Sequence, residues 1–190
     1  EEEIETVSSW VKSMRTTKDI CTKAVLPNAD ADCEGVINFT NKVLKTKTKS
    51  YTTAEYCSRI AGLIAGTPQT ISCTYAPLPE LVEVDNLTKE ELDAKIDAGE
   101  FVLFNDGEKI KVARGVNSFV TTIQDKGKSF KKVKLVELMD MIHDDIKKTA
   151  QDSYLGKYAN SYNNCWLLLA AINGYFKDLE QSGLLEEGQN

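Results

Sequence analysis

Residues 101–122 of this 190-residue chain read FVLFNDGEKIKVARGVNSFVTT, with apolar residues alternating around Asn105-Asp106-Gly107. Alternation with period two fits a strand with one buried face. A two-residue Asp-Gly type turn supplies the positive φ that matches strand twist, so the stretch predicts a β-hairpin. Arg114 to Ser118 then leads into a third expected strand, Phe119 to Thr122. Two long stretches of helical period follow. Val133, Val136, Met139, Ile142, Ile146 and Ala150 predict a helix from Lys132 to Leu155, ended by Gly156. Trp166, Leu169, Ala170, Tyr175, Phe176 and Leu179 form the wide apolar face of a second, from Tyr162 to Leu179.

Upstream, Ile4, Val7, Val11 and Met14, with Trp10 beside them, predict an amphipathic helix over residues 3–16. Two short strands are expected at Cys21 to Leu26, stopped by Pro27, and at Gly35 to Thr40. Thr52-Thr53 caps a helix over Ala54 to Ile64 whose small residues, Ala54, Ser58, Ala61, Gly62 and Ala65, would let another element approach closely. Pro77 and Pro79 make residues 76–84 the best linker candidate. Thr88 with Glu91 forms a capping box for the next helix, which Gly99 closes. The fold class is therefore α+β with a mixed α/β first part, and two domains are expected, 1–80 and 81–190.

Composition narrows the partners. A net charge of -6 and a pI near 5.0 disfavour a nucleic-acid surface, which needs a basic face. The lysines gather only at Lys42 to Lys49 and Lys126 to Lys134, both read as solvated loops. The longest apolar run, Cys165 to Ile172, is far too short to insert in a membrane. Five cysteines without a CxxC pair indicate neither a disulfide framework nor a zinc cluster, and are expected as reduced, buried thiols. The chain begins Glu1-Glu2-Glu3 with no initiator Met or signal peptide, and is expected to be an ordered piece of a longer polypeptide.

Chemical motifs are sparse. Asp30, Asp32, Glu34, Gly35 and Ile37 imitate the front of a calcium loop, but position twelve is Asn41 instead of a bidentate Glu and no helix enters the loop; an acidic turn between strands is the preferred reading. Gly127-Lys128-Ser129 ends like a phosphate loop without its first glycine, which would fall at Thr122. The single histidine, His143, lies among Asp140, Asp144 and Asp145 in a helical stretch and is read as a surface ion pair. Aromatic residues crowd the last third, Tyr154, Tyr158, Tyr162, Trp166 and Tyr175, as core or interface anchors.

Ala113-Arg114-Gly115-Val116-Asn117-Ser118, Asp125-Lys126-Gly127 to Lys132, the Met139 to Ile146 helix, Tyr154 to Lys157 and Ala170 to Tyr175 together resemble the C-terminal domain of contractile phage tail sheath proteins. Trp10 to Arg15, Thr22 to Leu26, Asp32 to Asn41 and Tyr51 to Pro68 fit the same family, so the resemblance covers nearly the whole chain.

It implies that 1–80 is the C-terminal portion of a subtilisin-like domain without protease activity, and that 81–190 is the sheath C-terminal domain lacking its terminal arm. The implied function is a structural subunit that polymerises helically around a tail tube and contracts to drive the tube through a cell envelope, through a heterologous interface repeated along a helix. Its implied partners are other copies of itself, the tail tube protein and the baseplate. Its implied place is the virion tail, assembled in the bacterial host cytoplasm. Catalytic residues, cofactor and metal are expected to be none; Arg114, Asn117 and Lys128 are the expected interface residues. The alternative is a calcium-binding or hydrolase-like soluble domain.

Overall fold

A computed structural model describes residues 2–186 and 188, which fall into two compact units, Glu1–Val136 and Glu137–Asn190. The expected boundary at residue 80 falls inside the first unit. Helix α1 (Glu2–Thr17) comes first, with three glutamates in its first turn and Arg15 in its last, a charge order that suits the helix dipole. Val11 and Ser8 are its buried residues, while Val7 and Trp10, expected on the core face, stand exposed.

The centre of the first unit is a parallel sheet of β1 (Ala24–Pro27), β2 (Val36–Phe39) and β6 (Glu100–Phe101), in the order β1-β2-β6. Every residue of β2 is buried, as a parallel strand covered on both faces requires. Its alternating side chains serve two cores. Val36 joins Val11 of α1 with Ala29, Ala31 and Cys33, whereas Ile37 and Phe39 join Tyr56, Cys57 and Ile60 of α2 (Thr53–Gly66). The result is a helix, sheet, helix layering.

Parallel neighbours normally need a long crossover. Here β1 and β2 are joined by the short acidic stretch 28–35, which turns back through left-handed backbone at Asn28 (φ 51) and Asp32 (φ 43), residue types that tolerate it. The calcium-loop look-alike is thus a tight parallel connection. Ala29 N–H donates to Asn38 Oδ1 at 2.8 Å, which fixes its start.

Thr52 and Thr88 both form full capping boxes, with Glu55 on α2 and with Glu91 on α3 (Lys89–Asp97). The small residues of α2 lie on its exposed face, so they serve no close approach among the described residues, and the core side is Tyr56, Cys57 and Ile60. A second, antiparallel sheet runs β4 (Ser50–Tyr51), β3 (Leu44–Thr46), β5 (Leu81–Val84). The proposed linker 76–84 is no linker: Leu78, Leu81 and Val84 are core residues, and the prolines shape the entry to β5.

The hairpin exists as β7 (Leu103–Asn105) and β8 (Ile110–Val112), paired Asn105 with Ile110. Its tip is longer than the expected Asp-Gly pair. Asp106 N–H donates to the Lys109 carbonyl at 3.1 Å, Asp106 Oδ1 accepts from Glu108 and Lys109, and Gly107 takes the positive φ of 100. The third expected strand, 119–122, does not form, because its hydrogen bonds go to a side chain of the acidic connection instead of a neighbouring strand.

Helix α4 (Val133–Ser153) starts in the first unit, where Val133 and Val136 are buried. In the second unit Tyr175 of α5 (Tyr162–Gln181) donates its hydroxyl to Asp145 Oδ2 of α4 at 2.7 Å. The predicted face of α5 is rotated: Trp166, Leu169 and Ala170 are exposed, while Leu168, Ile172, Tyr175, Phe176 and Leu179 are half-buried or buried. Of the cysteines, Cys33, Cys57 and Cys73 are buried as expected, Cys21 is half-buried and Cys165 is exposed; none of the five is in a disulfide. No helix among the described residues is long and apolar enough to cross a membrane.

Candidate subunit interface

The three residues expected at an interface separate by burial. Asn117 has 0% exposure. Its backbone N–H donates to the Lys131 carbonyl (3.0 Å), its Nδ2 donates to the Phe130 carbonyl (2.7 Å), and its Oδ1 accepts from Phe119 N–H (3.1 Å). Asn117 is therefore an internal clamp that holds the segment entering α4 against the segment leaving the hairpin. Val133 N–H to the Gly115 carbonyl and Gly115 N–H to Thr74 Oγ1, both 3.0 Å, extend the clamp. Arg114, before it, and Lys128, at the start of the short 3-10 helix Lys128–Lys131, are exposed cations.

The phosphate-loop look-alike around Gly127 is already committed elsewhere. Gly127 N-caps that 3-10 helix, and Lys126 Nζ lies 2.7 Å from Glu34 Oε1. Arg15 Nε approaches the same oxygen at 3.5 Å. Burial alone would raise the Glu34 pKa, but the Lys126 hydrogen bond and the charges of Lys126 and Arg15 outweigh it and hold the carboxyl below its ordinary value. Asp32 is spent too: its Oδ1 accepts from Val120 N–H (2.7 Å) and Thr121 N–H (3.0 Å). Asp32 and Glu34 of the calcium-loop look-alike thus have protein partners, and Asn41, where the bidentate Glu would stand, is a second clamp. It donates to Asp85 (2.9 Å) and the Leu103 carbonyl (3.1 Å) and accepts from Leu103 N–H (2.6 Å).

His143 Nδ1 lies 3.0 Å from Asp144 Oδ1 on α4, the surface pairing expected of it. Burial pushes the Cys57 thiol up to about 11, which keeps it protonated and poorly nucleophilic. The Tyr56 hydroxyl donates to Glu80 (2.9 Å), which Arg59 also holds (2.7 Å); burial and this bond raise the Tyr56 pKa, and the trio braces α2 against the entry to β5. Sequence reasoning gave Asn41, Asp85 and Ser118 no holding role, because a polar residue in the sequence does not say what it holds.

The exposed surface is richer. On α5, Tyr162, Trp166, Leu167 and Leu169 are each about half exposed or more, and Tyr162 and Trp166 stack edge to face at 5.9 Å. Large exposed apolar side chains grouped on one element mark surfaces that meet other molecules.

The family model described as phage tail sheath protein central domain matches residues 4–118, and that of the phage tail sheath C-terminal domain matches 125–190. A tail sheath protein of Clostridium phage phiCD119 is 40% identical over 180 residues, 95% of this chain and 50% of that protein. The chain thus spans about half the length of this curated relative. A crystal structure of a sheath tail protein from Desulfitobacterium hafniense superposes with a TM-score of 0.89 at 26% identity, covering 97% of this chain and 44% of the other. The contracted helical sheath of the anti-feeding prophage shares the fold at TM-score 0.66 and 18% identity, over 87% of this chain and 48% of the other. With both domain models matching in order along one chain, the first over more than half its length, this chain belongs to the phage tail sheath protein family.

Proposed function

We propose that this chain is part of a structural, non-enzymatic subunit of a contractile tail sheath, which polymerises helically around a tail tube and contracts to drive the tube through a cell envelope. The observation that carries this reading is the ordered match of central and C-terminal sheath regions along one chain. Its partners are further copies of itself, the tube protein and the baseplate, and its place is the virion tail, after assembly in the host cytoplasm. The subtilisin-like portion, expected over 1–80, is completed in this reading by β5, β6 and the hairpin, which share its core. The C-terminal domain follows the connecting segment 119–124, which lies between the two family matches. Arg114 and Lys128 lie at the subunit contact, where exposed cations suit an acidic neighbour.

Electron microscopy of the intact protein tests the reading. Striated sleeves or polysheaths are the expected result; a protein that stays monomeric at high concentration, or that a serine-reactive probe labels stoichiometrically, sinks it. Reversing both charges, Arg114→Glu with Lys128→Glu, is expected to reduce sleeve formation while the melting temperature stays within about 2 °C of the parent, as exposed substitutions usually do.

A further inference from the structure

Residues 119–124 lie between the stretches matched by the two sheath domains, and the segment through Lys126 is held mostly by polar contacts. Residues 121–125 are all exposed, so apolar burial contributes little there. The fastening is polar and comes from the β1–β2 connection. Ser118 N–H donates to the Val36 carbonyl (2.8 Å), and Ser118 Oγ donates to the Cys33 carbonyl (3.0 Å). Asp32 Oδ1 then takes the N–H groups of Val120 and Thr121 together. A tight turn in which Ile123 and Lys126 exchange backbone hydrogen bonds at 3.1 Å delivers the Lys126 ammonium to Glu34. Downstream, Asn117 and Phe130 secure the chain again.

We infer that Asp32 and Glu34 form a charge latch on the connecting segment, which opens by itself, freeing 120–126 while the anchors at Ser118 and Asn117 and the parallel sheet stay folded. Each half of the latch is a charge-assisted hydrogen bond, exposed at Asp32 and part-buried at Glu34, strong enough to order a segment whose residues 121–125 carry no apolar packing that would couple it to global unfolding. The charged groups facing it are Lys12 and Arg15 of α1 and Lys126 of the segment, with the Cys33 thiol adjacent. The latch stands on local geometry alone; only its use, as adjustable slack between two sheath regions, rests on the sheath reading.

Hydrogen exchange on the intact, unassembled protein tests it. Asp32→Gly removes the acceptor and leaves a residue at ease at φ 43, and Lys126→Met removes the cation from a half-buried position away from the core. Either substitution is expected to speed exchange over 120–126 about tenfold or more while the β2 amides 36–39 keep their protection. If Asp32→Gly fails to fold, Lys126→Met gives the same readout. Unchanged exchange over 120–126 in a folded variant, or a rise matched at 36–39, overturns the latch. Neither result depends on whether the protein forms sleeves.

Discussion

Asn117 pairs its side chain with two backbone groups, the part-buried Phe130 carbonyl and the buried Phe119 N–H. Truncation to alanine orphans both, so Asn117→Ala is expected to cost about 2–4 kcal/mol, read as a lowered urea midpoint at unchanged slope. Gly99 meets two constraints at once. Its φ is 77, and a Cβ there would sit 2.9 Å from the Asn117 carbonyl, so Gly99→Ala is expected to lose roughly 2–3 kcal/mol in the same measurement. Asp32 and Glu34 add a pH dependence. Burial raises each, but hydrogen bonds from the Thr121 and Val120 backbone and the Lys12 charge for Asp32, and Lys126 and Arg15 for Glu34, leave both below their ordinary values of 3.8 and 4.5. A carboxylate depressed in the fold stabilises it above the unfolded value and loses that contribution as pH falls through the folded one. Stability should therefore drop on acidification below the ordinary carboxylate range. The Glu34→Gln variant should show a shallower drop in denaturant midpoints as pH falls below the ordinary Glu34 value of 4.5.

At the scale of elements, α2 and α3 are started by the same device. Thr52 and Thr88 each accept from the N–H three residues on, and the glutamate there returns a bond to the cap. The consequences differ because the helices differ in burial. α2 presents Tyr56, Cys57 and Ile60 to the main core, whereas α3 has no buried residue. Thr52→Ala is expected to cost the whole chain about 1 kcal/mol, while Thr88→Ala frays α3 alone, raising exchange of its own amides with little change in the global midpoint. Both capping boxes could be read from Thr and Glu at fixed spacing, since the device is local. The outward turn of the small residues of α2 could not, because which face of a helix is covered depends on what the rest of the chain brings to it.

For the whole molecule, two compact units of unequal burial imply unequal stability. The first holds both apolar cores; in the second, Leu138 and Leu179 are the apolar residues that reach full burial among those described. Amides of α5 are expected to exchange at least about a hundredfold faster than those of β2, and equal protection would contradict the division. What the sequence by itself determined was whatever a short window contains: helical period in α1, α4 and α5, the caps, the hairpin around Gly107 and the absence of a calcium-binding Glu at Asn41. The family resemblance, spread over the order of many segments, was legible for the same reason. Only the tertiary structure decided that Asp30 to Glu34 is a parallel crossover, that 76–84 enters the core, that Asn117 is a clamp and that the expected strand 119–122 is tied to Asp32. The bonds of Asn41 to Asp85, Asp32 to Val120 and Glu34 to Lys126 span 44 to 92 residues, while those of Asn117 to Phe119 and Phe130 span 2 and 13; in every case a local pattern records which groups need hydrogen bonds without recording where the fold will supply them.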